Sequence, residues 1–161
     1  KDNREGIVSR EPALCQAMVY ESCMIKKRVV EQDPTEQGER ALLNFGHTLG
    51  HAVEKLENFT MHHGHCVGLG CIAAARISQL RGMLTAEEAA DIRNTFLSFG
   101  IPAAAPGLAW ERVLMTTQSD KKTEAGVIRF VLLNSIGQAY VDKTVTADEM
   151  KAGFDVIGGQ A

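Results

Sequence analysis

The chain has 161 residues, of which 45% are apolar and 23% are charged, and its formal net charge is −3. A chain of this length and balance can bury a real core as one globular domain, and nothing in it predicts a nucleic-acid or membrane partner. No apolar run approaches the ~20 residues of a membrane span, and no apolar segment follows the N-terminal charges as in a signal peptide. Cys15, Cys23, Cys66 and Cys71 form no CxxC pair, which predicts reduced, packed thiols in a cytoplasmic protein.

The first predicted element in chain order is an amphipathic helix over about 12–31, where apolar residues recur at helical spacing. Ser9 is expected to cap it, and Pro12 to lie in its first turn. The polar segment "EQDPTEQGE" then predicts a loop. A second helix is expected over about 41–57, ended by "NFTMHHG", and a third over about 64–81.

The remaining elements are marked by clearer local signals. Thr85–Glu88 is a capping box that opens a helix ending near Phe99, and a short helix should cover 107–117. β-Branched and apolar residues on both sides of "NSIG" predict a β-hairpin within 127–142. Thr146–Glu149 is a second capping box, which opens a last short helix. The predicted fold class is therefore mainly α, a helical bundle with one short β-hairpin.

All five histidines of the chain fall in the stretch "LNFGHTLGHAVEKLENFTMHHGHCVGLG". His47 and His51 are four residues apart, which puts both rings on one face of a helix. His63 follows His47 by sixteen residues, and a helical hairpin would fold it back against His47. Imidazole is the commonest ligand for a metal such as Zn²⁺. Ordinary helix-face and loop histidines explain the same pattern about equally well on chemistry alone.

The glycines of this stretch favour either a ligand-binding site or a close contact between helices. Gly46 and Gly50 are expected in the middle of a helix, each at a cost of about 0.5–1 kcal/mol relative to alanine. Gly64, Gly68 and Gly70 crowd the start of the next helix. Small residues let a ligand or another helix approach the backbone closely, and simple helix packing is the alternative explanation.

The motifs "RALLNFGHTLGHAVE" and "HGHCVGLG" resemble the C-terminal domain of 3-dehydroquinate synthase. The segments "IKKRVVEQDPTEQGER" and "SDKKTEAGVIRFVLLNSIGQAYV" agree in order and spacing, so the resemblance covers about 12–155. Iron-containing alcohol and glycerol dehydrogenases share a looser histidine pattern without the basic and asparagine positions. The sugar-phosphate cyclases that make deoxyinosose or valiolone skeletons are closer, and they remain an alternative.

The resemblance implies a lyase of the shikimate pathway, which leads to the aromatic amino acids. Such an enzyme cyclises 3-deoxy-arabino-heptulosonate 7-phosphate, a phosphorylated keto acid, to 3-dehydroquinate with elimination of phosphate. It uses NAD and a divalent metal, normally Zn²⁺, with Co²⁺ as another candidate. The resemblance also implies a homodimeric full-length enzyme whose N-terminal α/β domain binds NAD.

This chain has neither a GxGxxG nor a Walker motif, so we expect the NAD-binding domain to be absent from it. Residues 1–161 are then a single helical metal- and substrate-binding domain. By itself it should neither bind NAD nor form dehydroquinate. A stand-alone, non-catalytic helical metal-binding module is the second alternative.

The resemblance assigns roles to the histidines. His47 and His63 match the two histidine metal ligands, each of which should be neutral and oriented by a hydrogen-bond acceptor. His51 matches a histidine near the substrate that does not bind the metal. Proton transfer, or binding of the anionic substrate, suits its chemistry.

Four further residues match substrate-binding positions of the family. Lys26 and Arg40 match basic residues that bind the anionic groups of the substrate, for which a forked guanidinium is well shaped. Asn44 matches a substrate-binding amide, and Lys121 a further substrate lysine. Taken singly, either lysine is more simply explained as a solvated surface residue.

Two departures from the family pattern concern the metal. His65 stands where the family has a glutamate, and we expect it on the surface or hydrogen-bonded to a ligand rather than on the ion. The family's third ligand, a glutamate of an "ExxK" motif, is not found before Lys26, since Glu5 and Glu11 lie too near that helix. Because the chain then offers only two of the three protein ligands, we expect it to bind the metal weakly.

Overall fold

The structure is a computed structural model that describes residues 1–36, 38–119 and 127–158. Its helices and strands follow in the order α1 (Arg4–Val8), α2 (Pro12–Gln32), a 3₁₀ helix (Glu39–Asn44), α3 (His47–Leu56), α4 (His63–Leu80), α5 (Ala86–Ser98), α6 (Trp110–Gln118), β1 (Phe130–Ser135), β2 (Gln138–Asp142) and α7 (Ala147–Asp155). Strands β1 and β2 pair antiparallel. The predicted fold class, mainly helical with a short hairpin, is confirmed.

The chain forms two compact units, 1–43 and 44–161. The first holds α1, which was not predicted, and α2, whose predicted bounds are confirmed to within a residue. Ser9 was wrongly predicted as the cap of α2. It ends α1 instead, where its hydroxyl donates to the Gly6 carbonyl at 3.1 Å. Helix α2 has Pro12 as its first residue, and none of its residues is fully buried in the described part of the chain.

Helix α4 is the centre of the second unit. Its small and apolar residues are buried almost along its whole length, and α3, α5, α7 and β1 pack against it. Ser78 joins α4 to the hairpin because its buried hydroxyl donates to the Ala74 carbonyl at 2.9 Å and accepts the Leu133 N–H at 3.0 Å. No helix of the described ranges has the length and apolarity that crossing a membrane would require.

Both predicted capping boxes and the hairpin are confirmed. The Glu88 N–H donates to the Thr85 hydroxyl at 3.1 Å, and the Thr85 N–H donates to the Glu88 carboxylate at 2.8 Å. Thr146 and Glu149 exchange the equivalent bonds at the start of α7. The hairpin turns at Gly137, whose φ of +92° lies in the left-handed region that glycine adopts without strain.

The helix predicted over 41–57 is wrong in its first part. The chain runs as a 3₁₀ helix to Asn44 and then breaks, and α3 begins only at His47. Gly46 precedes α3 with a φ of +80°, so it lies at a helix start and not in a helix interior as predicted. The left-handed backbone at Gly46 interrupts the repeating helical hydrogen bonds, which a count of apolar spacing cannot detect.

The four cysteines differ in their surroundings, although all are free thiols. Cys66 and Cys71 are buried, and burial raises the pKa of Cys71 to about 12. Burial, followed by the nearby carboxylate of Glu54, raises the pKa of Cys66. Cys15 is partly buried, but Cys23 is exposed, so the prediction of a packed thiol is wrong there.

Candidate metal centre

The first turns of α3 present two histidines on one face. His47 is the first residue of α3 because Gly46 turns the chain just before it, and His51 follows one turn later. Both are half-buried. The opposite side of the helix is fixed in the core by Leu49 and Val53, of which 2% and 0% is exposed. The position of the two rings is therefore set by a rigid element.

A Schellman turn ends α3 and reverses the chain. The Phe59 N–H donates to the Glu54 carbonyl at 3.0 Å, and the Asn58 N–H donates to the Lys55 carbonyl at 3.1 Å. Asn58 has the left-handed φ of +50° that this turn requires, and asparagine tolerates it better than most residues. The chain then returns to α3 and opens α4 with His63.

Glycines let α3 and α4 approach to backbone contact. A Cβ at Gly70 would overlap the Gly46 carbonyl oxygen, and a Cβ at Gly50 would lie 2.8 Å from the Cys66 carbonyl oxygen. Close helix packing, one of the two explanations of these glycines, is thus observed. It brings the first turn of α4 next to the histidine face of α3.

Three imidazoles meet at this junction. The ring centroids of His47 and His51 lie 5.1 Å apart, those of His47 and His63 5.6 Å, and those of His51 and His63 5.8 Å. One nitrogen of each ring lies within 4.8 Å of the others. The pairing of His47 with His63 is as the helical hairpin predicts, but His51 joins them as an equal member of the cluster. The role of each histidine towards a metal stays a prediction.

Oxygen atoms lie beside the Nδ1 atoms of His47 and His63. His47 Nδ1 is 3.2 Å from the Phe45 carbonyl, and His63 Nδ1 is 3.1 Å from the Glu54 carboxylate. With Nδ1–H as donor in both, each ring keeps its Nε2 lone pair for a metal. Glu54 was not predicted as a site residue, although it lies seven residues after His47 and three after His51, on the same face of α3.

His65 does not belong to the three-histidine cluster among the described residues. Its ring lies edge-on to His62, with the centroids 5.4 Å apart. Whether His65 contacts the ion or a ligand to it stays a prediction.

The two basic candidates, Lys26 and Arg40, lie in the first unit. Lys26 lies on α2 and is exposed. The Arg40 guanidinium donates to the Pro34 carbonyl at 2.6 Å, and the Asp33 carboxylate accepts the Arg40 N–H at 3.0 Å. Both contacts order the loop after α2. Binding of an anionic substrate by Lys26 and Arg40 stays a prediction.

The other two residues predicted to bind substrate are Asn44 and Lys121. Asn44 is half-buried and ends the 3₁₀ helix, so it does not lie on α3 with the histidines as predicted. The break at Gly46 explains the difference. Lys121 lies outside the described residues. The substrate roles of both stay predictions.

Comparison with solved structures shows which known fold the chain shares. The chain matches 2-epi-5-epi-valiolone synthase from Streptomyces hygroscopicus subsp. jinggangensis 5008, solved with NAD⁺ and Zn²⁺ bound, with a TM-score of 0.81 at 19% identity, over 94% of this chain and 43% of that one. It matches 2-deoxy-scyllo-inosose synthase, solved with carbaglucose-6-phosphate, NAD⁺ and Co²⁺, with a TM-score of 0.74 at 16% identity, over 91% of this chain and 42% of that one. The chain therefore shares the fold of a part of each of these two structures.

Sequence comparison identifies the family. The family model "3-dehydroquinate synthase C-terminal" matches residues 1–123, and the chain belongs to this family. It is 40% identical to the 3-dehydroquinate synthase of Neisseria meningitidis serogroup C (strain 053442), over 83% of this chain and 37% of that protein. It is 38% identical to that of Acinetobacter baumannii (strain AYE), over 94% of this chain and 42% of that protein. The chain thus spans about two fifths of the length of these relatives.

Proposed function

We propose that this chain is the metal- and substrate-binding domain of a 3-dehydroquinate synthase. The proposed reaction is the NAD- and Zn²⁺-dependent cyclisation of 3-deoxy-arabino-heptulosonate 7-phosphate to 3-dehydroquinate, with elimination of phosphate, in the shikimate pathway. The observation that carries the proposal is the cluster of His47, His51 and His63, built by a chain of this family. In this proposal the chain acts together with an N-terminal NAD-binding domain, and the assembled enzyme is a cytoplasmic homodimer.

The residues present fit a divalent transition metal ion. Neutral imidazoles are good ligands for Zn²⁺ and Co²⁺, and the acceptors at Nδ1 hold His47 and His63 in the tautomer that offers Nε2. When bound, the ion would polarise a substrate hydroxyl and stabilise negative charge on its oxygen. Glu54, with 18% of its side chain exposed, keeps the His63 ring oriented.

The other candidate residues act on the substrate in this proposal. Lys26, Arg40 and Lys121 bind its phosphate and carboxylate groups by charge-assisted hydrogen bonds. Asn44 binds a hydroxyl through its amide. Each acts by holding the keto acid in one orientation, which converts binding energy into a correctly placed reacting centre.

The test joins this chain to the NAD-binding part of the N. meningitidis relative and measures phosphate release from the keto-acid phosphate. We expect turnover by the joined protein with NAD and Zn²⁺ and none by the chain alone. Replacement His47→Ala should abolish turnover, whereas Lys151→Ala, at an exposed ion pair on α7, should leave it unchanged. A folded joined protein that releases no phosphate, or that acts only on the sugar phosphates of other cyclases, would contradict the proposal.

A smaller effect is expected from Glu54→Gln. Loss of the carboxylate removes the charged acceptor of the His63 Nδ1–H, so the affinity for Zn²⁺ should fall about tenfold. Calorimetric titration measures this change. Glu57→Gln is the matched control, because it removes an equal charge one turn away. An equal loss in both variants would show that net charge, and not the hydrogen bond to His63, sets the affinity.

A further inference from the structure

The two histidines outside the cluster form a pair of their own at the start of α4. His62 immediately precedes α4, and His65 is its third residue. The His62 carbonyl accepts the His65 N–H at 2.9 Å and the Cys66 N–H at 3.1 Å, and the Cys66 side chain is fully buried. The first helical turn is thus closed and anchored in the core, and it holds two imidazoles three residues apart as neighbours on the helix surface.

The two rings are separated by the distance expected for two imidazoles on one ion. With N–metal bonds of about 2.0–2.1 Å and a tetrahedral angle between them, the two ring centres lie about 5.2 Å apart. The centroids of His62 and His65 lie 5.4 Å apart. Edge-on packing of two rings without an ion also occurs at this separation. The two explanations differ in whether the pair takes up a metal.

The surroundings of the pair favour a cation. Burial is the largest cause of the raised pKa of Cys66, the residue after His65, and the carboxylates of Glu54 and then Glu57 raise it further. Both carboxylates therefore place negative potential at the first turn of α4, which counteracts the positive end of the helix dipole there. His62 is exposed and His65 is half-buried, so an ion would reach both rings from solvent and keep water on its other positions.

We propose that His62 and His65 form a second metal site, which binds one divalent transition metal ion through two imidazoles and water. Imidazole suits Zn²⁺, Ni²⁺ and Cu²⁺, so the site takes ions of this class. It is separate from the cluster of His47, His51 and His63, and it does not depend on the proposed reaction. Because His65 stands where the family has a glutamate, the site is a feature of this chain and not of the family pattern.

The test is a Zn²⁺ titration by calorimetry, with equilibrium dialysis to count the ions bound per chain. We expect His62→Ala and His65→Ala each to bind one ion fewer than the unmodified chain. The affinity of the lost site should fall about tenfold or more, since a ligand contributes at least as much as the hydrogen-bond partner of a ligand. His62→Asn and His65→Gln repeat the test with a good helix cap and a good helix former, should circular dichroism show that an alanine variant is unfolded.

Two further variants serve as controls. His47→Ala impairs the three-histidine cluster and should leave the ion of the pair in place, with its affinity within about twofold. Cys23→Ser removes an exposed thiol, which is another ligand that Zn²⁺ accepts, and the number of bound ions should not change.

Three results would overturn the inference. An unchanged number of ions and unchanged affinities in both histidine variants would show that the two rings pack against each other without a metal. Loss of the ion in only one of the two would show that this histidine binds it with a different partner. Loss of the same ion in His47→Ala would show that the pair is not an independent site. Turnover of the joined protein tests the proposed function separately from all three results.

Discussion

Replacement Gly70→Ala should lower the free energy of unfolding by about 3 kcal/mol or more. The added Cβ would overlap the Gly46 carbonyl oxygen, and it would lie 2.9 Å from the Gly50 backbone nitrogen. Both neighbours are backbone atoms, so no side chain can rotate away and α3 must move as a whole. Urea unfolding followed by circular dichroism measures the loss.

The same movement should separate the histidines. His47 and His51 lie on α3 and His63 begins α4, so parting the two helices widens the cluster and weakens Zn²⁺ binding. Gly64→Ala on α4 is the control, because its Cβ meets no described atom within 4 Å and alanine favours the helix by up to about 1 kcal/mol. Unchanged stability in Gly70→Ala would mean that the helix contact is looser than the structure shows.

The second prediction concerns the ion pairs at the end of α4. Arg81 donates to both oxygens of Glu149 at 2.6 and 2.9 Å and to Asp142 at 2.7 Å, which joins α4 to α7 and to the end of β2. With 19% of Arg81 and 25% of Glu149 exposed, these bonds are partly shielded from water. Arg81→Met should therefore lower the free energy of unfolding by about 2 kcal/mol at neutral pH.

This contribution should depend on pH in a defined window. The hydrogen bond from Arg81 lowers the pKa of Glu149 from 4.5 to about 2. A carboxyl group whose pKa is lowered in the folded state stabilises the fold above its unfolded pKa. The difference in unfolding free energy between the chain and Arg81→Met should thus be full above about pH 4.5 and shrink as the pH falls towards about 2.

Lys151→Met provides the comparison for Arg81→Met. The Lys151–Asp155 pair lies on α7 with 50% and 53% of its side chains exposed, so its loss should change the unfolding free energy by less than about 0.5 kcal/mol. Urea unfolding at a series of pH values gives the unfolding free energy of the unmodified chain, of Arg81→Met and of Lys151→Met. A constant difference between the chain and Arg81→Met down to pH 3 would contradict the assignment to Glu149.

The sequence by itself determined the elements that depend on neighbouring residues. The capping boxes at Thr85 and Thr146 join atoms three residues apart, and the hairpin turns within "NSIG". Such signals are complete in a short window, so the two capped helices and the hairpin are found close to their expected bounds. The motifs around the histidines likewise identified the family, because they are short and keep their spacing.

Only the tertiary structure decided how the histidines are grouped. The spacing of His47 and His51 predicts a shared helix face, but it cannot place His63 beside His51 or Glu54 beside His63. Those contacts depend on the left-handed turn at Asn58 and on the approach of α3 to α4, which brings together atoms far apart in the chain. The position of the His51 ring beside His63 results from backbone contact between two helices, and no local pattern encodes that contact.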